Sequence, residues 1–186
     1  MLPALNIPNL LTIVRLALVP LVAYFLLDGE HGLALIVFFF AALTDLLDGW
    51  IARRFKLASA LGAMLDPIAD KLNMLVATVL LGWQGLLPMG LAIAIVLRDI
   101  VIVAGALAYR FTLGPVKIAP TTLSKVNTLL EFTVLLLVMA SAARWIEIDR
   151  WLPAAFVLVF ATVLASGVQY VWVWGRKALC DSRRAR

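Results

Sequence analysis

The chain has 186 residues, is 64% hydrophobic with a mean hydropathy of +1.03, and carries a formal net charge of +5. Soluble domains are nearer half apolar, so the composition excludes an ordinary soluble fold and leaves an all-α integral membrane protein, long enough for about six spans of ~20 residues and no separate soluble domain. The single cysteine, Cys180, excludes an internal disulfide framework, and the positive charge points to cytoplasmic loops and anionic headgroups, with no nucleic acid expected as a partner.

Met1 to Asn9 holds no basic residue ahead of the first apolar run, so no cleavable signal peptide is expected. Asn6-Ile7-Pro8-Asn9 reads as a break followed by a helix start, with Asn9 as the cap. The first span covers about residues 10–27. Arg15 and Pro20 interrupt it, which places a short N-terminal segment in the membrane interface. A tight polar turn, Asp28 to Gly32, holds the only histidine, His31, for which no catalytic role is expected in a solvated loop.

The second span covers about 33–53 and ends in a basic turn with Arg53, Arg54 and Lys56, then Ser59 as a possible cap. The third covers about 60–81, with Pro67 expected to bend its first turns. The fourth covers about 88–109 and carries Arg98 and Asp99 near its middle. A polar loop with Gly114, Pro115, Lys117 and Pro120 leads to the fifth span, about 122–143, with Lys125, Asn127 and Glu131 in its first half. The sixth covers about 153–174, before a basic tail. No repeat or low-complexity segment divides the chain, so residues 1–186 read as one membrane-embedded domain.

Lysine and arginine counts orient these spans. With the N-terminus inside, the inner loops and tail hold ten: Arg53, Arg54, Lys56, Arg110, Lys117, Arg176, Lys177, Arg183, Arg184 and Arg186. The outer turns hold two, Arg144 and Arg150. That asymmetry predicts cytoplasmic termini in a multi-pass protein. A bacterial inner membrane is the expected location.

Four aspartates then fall at matching depth. Asp48 lies ~8 Å and Asp45 ~12 Å inward from Arg53 along the second span, and Asp66 and Asp70 lie ~9 Å and ~15 Å into the third. Asp45 and Asp48 are three residues apart, and Asp66 and Asp70 four apart, so each pair shares a helix face. Two such helices side by side aim four carboxylates into one volume in the cytoplasmic half of the membrane. Four unpaired negative charges there could not all stay ionised, and hard oxygen donors suit Mg²⁺ or Mn²⁺. Arg53 and Lys71 are too few to make this a structural ion-pair cluster. An ion transporter would favour a midplane site between inverted repeats, and this pattern is off-centre without repeats.

As a pattern, the stretch is D-x2-D-G-x2-A-R-x8-G-x3-D-x3-D, from Asp45 through Gly49, Ala52, Arg53 and Gly62 to Asp70. It resembles the signature of the CDP-alcohol phosphatidyltransferases, as do the Asn-Ile-Pro-Asn start, the six-span plan and the basic tail. The resemblance implies two divalent ions held by Asp45, Asp48, Asp66 and Asp70, with Asp70 also the general base. It implies that Gly49, Ala52, Arg53 and Gly62 receive a CDP-lipid, CDP-diacylglycerol, and that the protein works among membrane lipids as a homodimer. Independently, two metals can clamp an in-line displacement at phosphorus, an arginine can grip a diphosphate in a bidentate contact, and small residues let a flat group approach the backbone.

The acceptor is read from the fourth and fifth spans. Leu97-Arg98-Asp99 and Ser124-Lys125-Val126-Asn127-Thr128 are similar to the mitochondrial-type cardiolipin synthase branch, which uses phosphatidylglycerol. The phosphatidylglycerophosphate synthase branch, which uses glycerol 3-phosphate, usually has Arg-Glu in place of Arg98-Asp99 and a second lysine in place of Asn127. Phosphatidylglycerol carries one negative charge and glycerol 3-phosphate nearly two, so an asparagine suits the lipid acceptor. Arg98, Lys125 and Asn127 are therefore the expected acceptor contacts. Asp99 is open between an acceptor role and a structural one, because neighbours on a helix point different ways, and Glu131 receives no role.

Overall fold

The computed structural model describes the backbone of residues 7–55, 60–113 and 121–184, and the side chains of residues 14–44, 71–105, 121–170 and 172. Those residues form six helices and no strand: α1 (Ile7–Leu27), α2 (His31–Phe55), α3 (Ala60–Trp83), α4 (Met89–Leu113), α5 (Thr122–Ala142) and α6 (Leu152–Arg184). Five of the expected spans match these helices to within about four residues at either end, the usual uncertainty of sequence-based boundaries. The sixth differs, since α6 continues to Arg184 through the stretch expected as a tail. A polar, basic composition ends a membrane span but not a helix, because lysine and arginine are good helix formers.

The start of α1 also differs from expectation. The helix begins at Ile7, so Asn9 lies in its first turn and not at its cap, and α1 runs through Pro20. Arg15, expected near an interface, is buried with 1% of its surface exposed. α3 runs through Pro67 as α2 runs through Asp45 and Asp48. Lys56 and Ser59 lie outside the described residues, as do Gly114, Pro115, Lys117 and Pro120.

The chain forms two compact units. The first comprises Met1–Leu87 and Leu135–Asp149. Within it α1 packs on α2 and α3, and α2 on α3. The buried positions of α1 are 15, 19, 22 and 26, those of α2 are 34, 38 and 41, and α3 adds Met74, Ala77 and Leu81. Steps of three and four are the stripe that a helix turns toward a core. His31 opens α2 and sits 3.2 Å from Gln84 Oε1, while Gln84 donates to the carbonyl of Leu26, tying two turns together. Gly29 and Gly85 hold these turns with φ of +80° and +75°, in the left-handed region where a side chain is penalised. Gly32 lies under Trp145, where an added Cβ would come within 2.9 Å of the ring.

The second unit comprises Pro88–Val134 and Arg150–Arg186, and in it α4 packs on α6. The α6 stripe is Val159, Val163, Ser166 and Tyr170. The α5 stripe in this unit is 124, 127, 131 and 134: Ser124, Asn127, Glu131 and Val134, all buried. Its spacing is that of an ordinary packing seam, but three of the four side chains are polar.

Outward positions are strongly apolar: Leu129 is 64% exposed, and Val157 and Val168 are each 70% exposed. α5 and residues Leu152–Tyr170 of α6 are each long and apolar enough to cross a membrane. Apolar surface on that scale facing outward suits lipid and not water.

Candidate functional site

Asp45 and Asp48 lie in α2, with Gly49, Ala52 and Arg53 beyond them. Gly62, Asp66 and Asp70 lie in α3. The backbone is helical at every one of these positions, so the expected one-turn spacings hold, and the two carrier helices pack on each other in one unit. The side chains of these eight residues lie outside the described residues. The donor set is chemically suited to two divalent ions, since four carboxylates offer hard oxygen ligands and balance four positive charges. Three residues beyond Asp70, on the same helical face, Asn73 is 5% exposed, and its Oδ1 has no hydrogen-bond partner among the described residues. Its register with Gly62, Asp66 and Asp70 was the signal available in the sequence.

The expected acceptor residues are described in full. Arg98 of α4 is 4% exposed. Its Nη1 donates to Asp99 Oδ1 at 2.7 Å, and its Nη2 donates to Ser124 Oγ of α5 at 2.7 Å and Ser166 Oγ of α6 at 3.1 Å. One guanidinium thereby joins three helices. A buried cation is tolerable only when paired and hydrogen-bonded, and this one has a carboxylate and two hydroxyls. The open question over Asp99 resolves toward Arg98 itself. Although adjacent residues on a helix diverge, the long arginine stem curls back to its neighbour's carboxylate.

Asn127 of α5 is fully buried. Its Nδ2 donates to Glu131 Oε1 at 2.6 Å, one turn on, and its Oδ1 accepts from Thr162 Oγ1 of α6 at 2.8 Å. Thr162 Oγ1 also lies 2.9 Å from the Val159 carbonyl, a second acceptor for its single proton. Glu131 is 1% exposed. Lys125, two residues from Asn127 and off the seam, is exposed. The structure thus gathers Arg98 and Asn127 into the buried polar interior of α4, α5 and α6 and leaves Lys125 outside it.

Sequence reasoning missed Ser124, Glu131, Thr162 and Ser166 as members of this network. The polar residues at 124, 127 and 131 are a helical stripe that could have been found by spacing. Beside the network, between α4 and α6, runs an open apolar groove of about 610 Å³. Gly167 on its wall is so placed that an added Cβ would only touch Arg98 Cγ, at 4.0 Å, so the arginine stem forms part of that wall.

An all-helical chain with apolar outer faces and buried, hydrogen-bonded charges is a helical membrane protein. Residues 5–173 match the family profile described as CDP-alcohol phosphatidyltransferase, and the chain belongs to that family. It is 38% identical over 199 residues to the cardiolipin synthase (CMP-forming) of Rattus norvegicus and 32% identical over 190 residues to that of Homo sapiens. Each alignment covers 94% of this chain and 63% of the relative, so the chain spans less than two thirds of the length of either. It is also 45% identical over 105 residues to the CDP-diacylglycerol–glycerol-3-phosphate 3-phosphatidyltransferase of Pseudomonas fluorescens, covering 54% of each protein.

Proposed function

We propose that the protein transfers a phosphatidyl group from CDP-diacylglycerol to a hydroxyl of phosphatidylglycerol, giving cardiolipin and CMP. The observation that carries this is the aspartate pattern on two packed helices, α2 and α3, in a chain that resembles CMP-forming cardiolipin synthases over nearly its whole length. All six helices span the membrane in this reading, as one domain with both termini cytoplasmic and the aspartates in the cytoplasmic half. The protein is a homodimer of a bacterial inner membrane.

Asp45, Asp48, Asp66 and Asp70 would hold two divalent ions, Mg²⁺ or Mn²⁺. When bound, those ions supply charge neutralisation at the diphosphate. Arg53 grips the diphosphate of the donor, and Gly49, Ala52 and Gly62 leave room for the nucleotide against the helix backbones. Arg98 and Asn127, with Lys125 nearer the surface, receive the acceptor phosphate. Asp70 takes the proton from the acceptor hydroxyl. That oxygen bonds to the phosphorus bearing diacylglycerol, the bond from that phosphorus to the CMP oxygen breaks, and CMP leaves with the electron pair.

The likeness to the Pseudomonas protein favours a second reading, in which glycerol 3-phosphate is the acceptor. One assay separates them. Purified protein receives CDP-diacylglycerol with either phosphatidylglycerol or glycerol 3-phosphate, and the lipid product is identified. Cardiolipin and CMP are expected from the first mixture and little product from the second. Phosphatidylglycerophosphate without cardiolipin would overturn the acceptor assignment and leave the family and donor in place.

A further inference from the structure

One contact fixes the register of α2 against α3. His31, the first residue of α2, lies 3.2 Å from Gln84, the first residue after α3. Asp45 and Asp70 each stand fourteen residues from that contact, on two helices that run in opposite directions, so both positions fall ~21 Å from it. Asp48 and Asp66 fall about one turn further away. Asn73 stands eleven residues from the contact, one turn nearer to it than Asp70, and so ends the row of aspartates on that side.

Asn73 is also on the right face. Steps of four, four and three lead from Gly62 through Asp66 and Asp70 to Asn73, within ~80° of arc around α3. The same stripe continues through Ala77 and Leu81, both fully buried. Asn73 is 5% exposed, and its Oδ1 has no hydrogen-bond partner among the described residues. A buried amide oxygen without a donor costs the fold and returns nothing to it, so it points to a ligand that completes it. An amide oxygen only accepts, which makes the missing group an O–H or N–H donor. Residues three apart on a helix hold their Cβ atoms ~5–6 Å from one another, so positions 70 and 73 can take two hydroxyls carried on adjacent carbons.

We propose that Asn73 is the residue that recognises glycerol in the acceptor: its Oδ1 accepts a hydrogen bond from the secondary hydroxyl, which does not react, while Asp70 takes the proton of the neighbouring terminal hydroxyl. The proposal rests on the reading of Asp70 as the base at the acceptor hydroxyl. It holds for either acceptor weighed above, because phosphatidylglycerol and glycerol 3-phosphate both present a terminal hydroxyl with a secondary one beside it. An alcohol without the second hydroxyl leaves the buried oxygen orphaned, and a site built to hydrogen-bond a hydroxyl discriminates against the analogue that lacks it. Asn73 is uncharged, so the recognition does not depend on a protonation state.

The test uses the full-length protein in detergent or proteoliposomes, with CDP-diacylglycerol as donor. Phosphatidylglycerol is compared with phosphatidylpropane-1,3-diol, which keeps the terminal hydroxyl and lacks only the secondary one. The pair glycerol 3-phosphate and 3-hydroxypropyl phosphate makes the same comparison for the second acceptor reading. The unmodified protein should prefer the glycerol member by about tenfold or more in kcat/KM. Equal use of the two members overturns the proposal.

Asn73→Leu keeps the size of the side chain and removes the oxygen. It should lower kcat/KM for the glycerol acceptor about tenfold and affect the propanediol acceptor far less, so that the preference falls toward one, with KM for the donor unmoved. Its midpoint of thermal unfolding should stay level or rise, because the lost oxygen had no partner in the fold. A Leu variant that keeps the full preference overturns the proposal. So does one that melts lower and loses both acceptors equally, which is the mark of a structural asparagine. Failure of the underlying reading looks different: Asp70→Asn would then turn over either acceptor as the unmodified protein does.

Discussion

Asn127 and Glu131 stand one helical turn apart on α5, joined by a 2.6 Å hydrogen bond, and Thr162 of α6 holds the opposite side of the Asn127 amide at 2.8 Å. The amide oxygen is therefore turned toward α6 and the amide nitrogen toward Glu131. This arrangement makes position 127 dependent on position 131. Asn127→Lys should raise KM for phosphatidylglycerol, because a lysine loses the contact to Thr162 that the amide oxygen accepts. Glu131→Gln, which can still accept from Asn127, should have a smaller effect. Kinetics of the two single variants and the double variant check this, and strictly additive effects would contradict the coupling, since residues in contact are expected to be non-additive.

The Arg98 clamp predicts stability as well as function. Ser124→Ala and Ser166→Ala each remove an acceptor from a buried guanidinium, at a cost of about 1–3 kcal/mol apiece. Asp99→Ala should cost at least as much, because it removes the paired charge. Unfolding in mixed micelles would measure these differences. The two serines share one donor nitrogen, Nη2, so the double variant should depart from the sum of the singles.

Metal dependence follows from the aspartate pattern. Activity should vanish with a chelator and return with Mg²⁺ or Mn²⁺. Asp45→Ala, Asp48→Ala and Asp66→Ala should each abolish turnover in protein that still inserts and remains helical by circular dichroism. Asp70→Asn should bind CDP-diacylglycerol with metal yet fail in kcat, as expected for loss of a general base. Full turnover in a metal-free preparation would contradict the assignment of the four aspartates.

The turn after α3 offers a test of the backbone. Gly85 has φ of +75° and open space around its missing side chain, so only the dihedral opposes substitution. Gly85→Ala should destabilise by about 1–2 kcal/mol, and Gly85→Asn by less, because asparagine tolerates the left-handed region better. Thermal unfolding of the purified variants checks the order. Gly32→Ala meets the other obstacle, a steric one, and should displace the half-exposed Trp145 ring, which a change in tryptophan fluorescence would report.

The sequence by itself determined what depends on local periodicity and composition. Six apolar runs gave six helices in the described residues, with Thr122 starting α5 and Ala60 starting α3 at the expected positions. The spacings Asp45-Asp48 and Asp66-Asp70 carried the family assignment, because a one-turn repeat of ionisable groups in an apolar helix is visible without knowing any neighbour. Helix ends were less legible where capping signals and helix propensity disagreed, as at Asn9, which lies inside α1, and in the basic stretch that continues α6. What only the tertiary structure decided is the partner of each buried polar group. The hydroxyls that accept from Arg98 Nη2 lie 26 and 68 residues away, and Thr162 lies 35 residues from Asn127. Such pairings depend on which helix faces meet, and a polar residue in an apolar helix advertises its need for a partner without naming it. Lys125 and Asn127, two residues apart, looked equivalent as acceptor contacts. Packing put one on the surface and the other, with Glu131, inside, because a rotation of about 200° along α5 separates them.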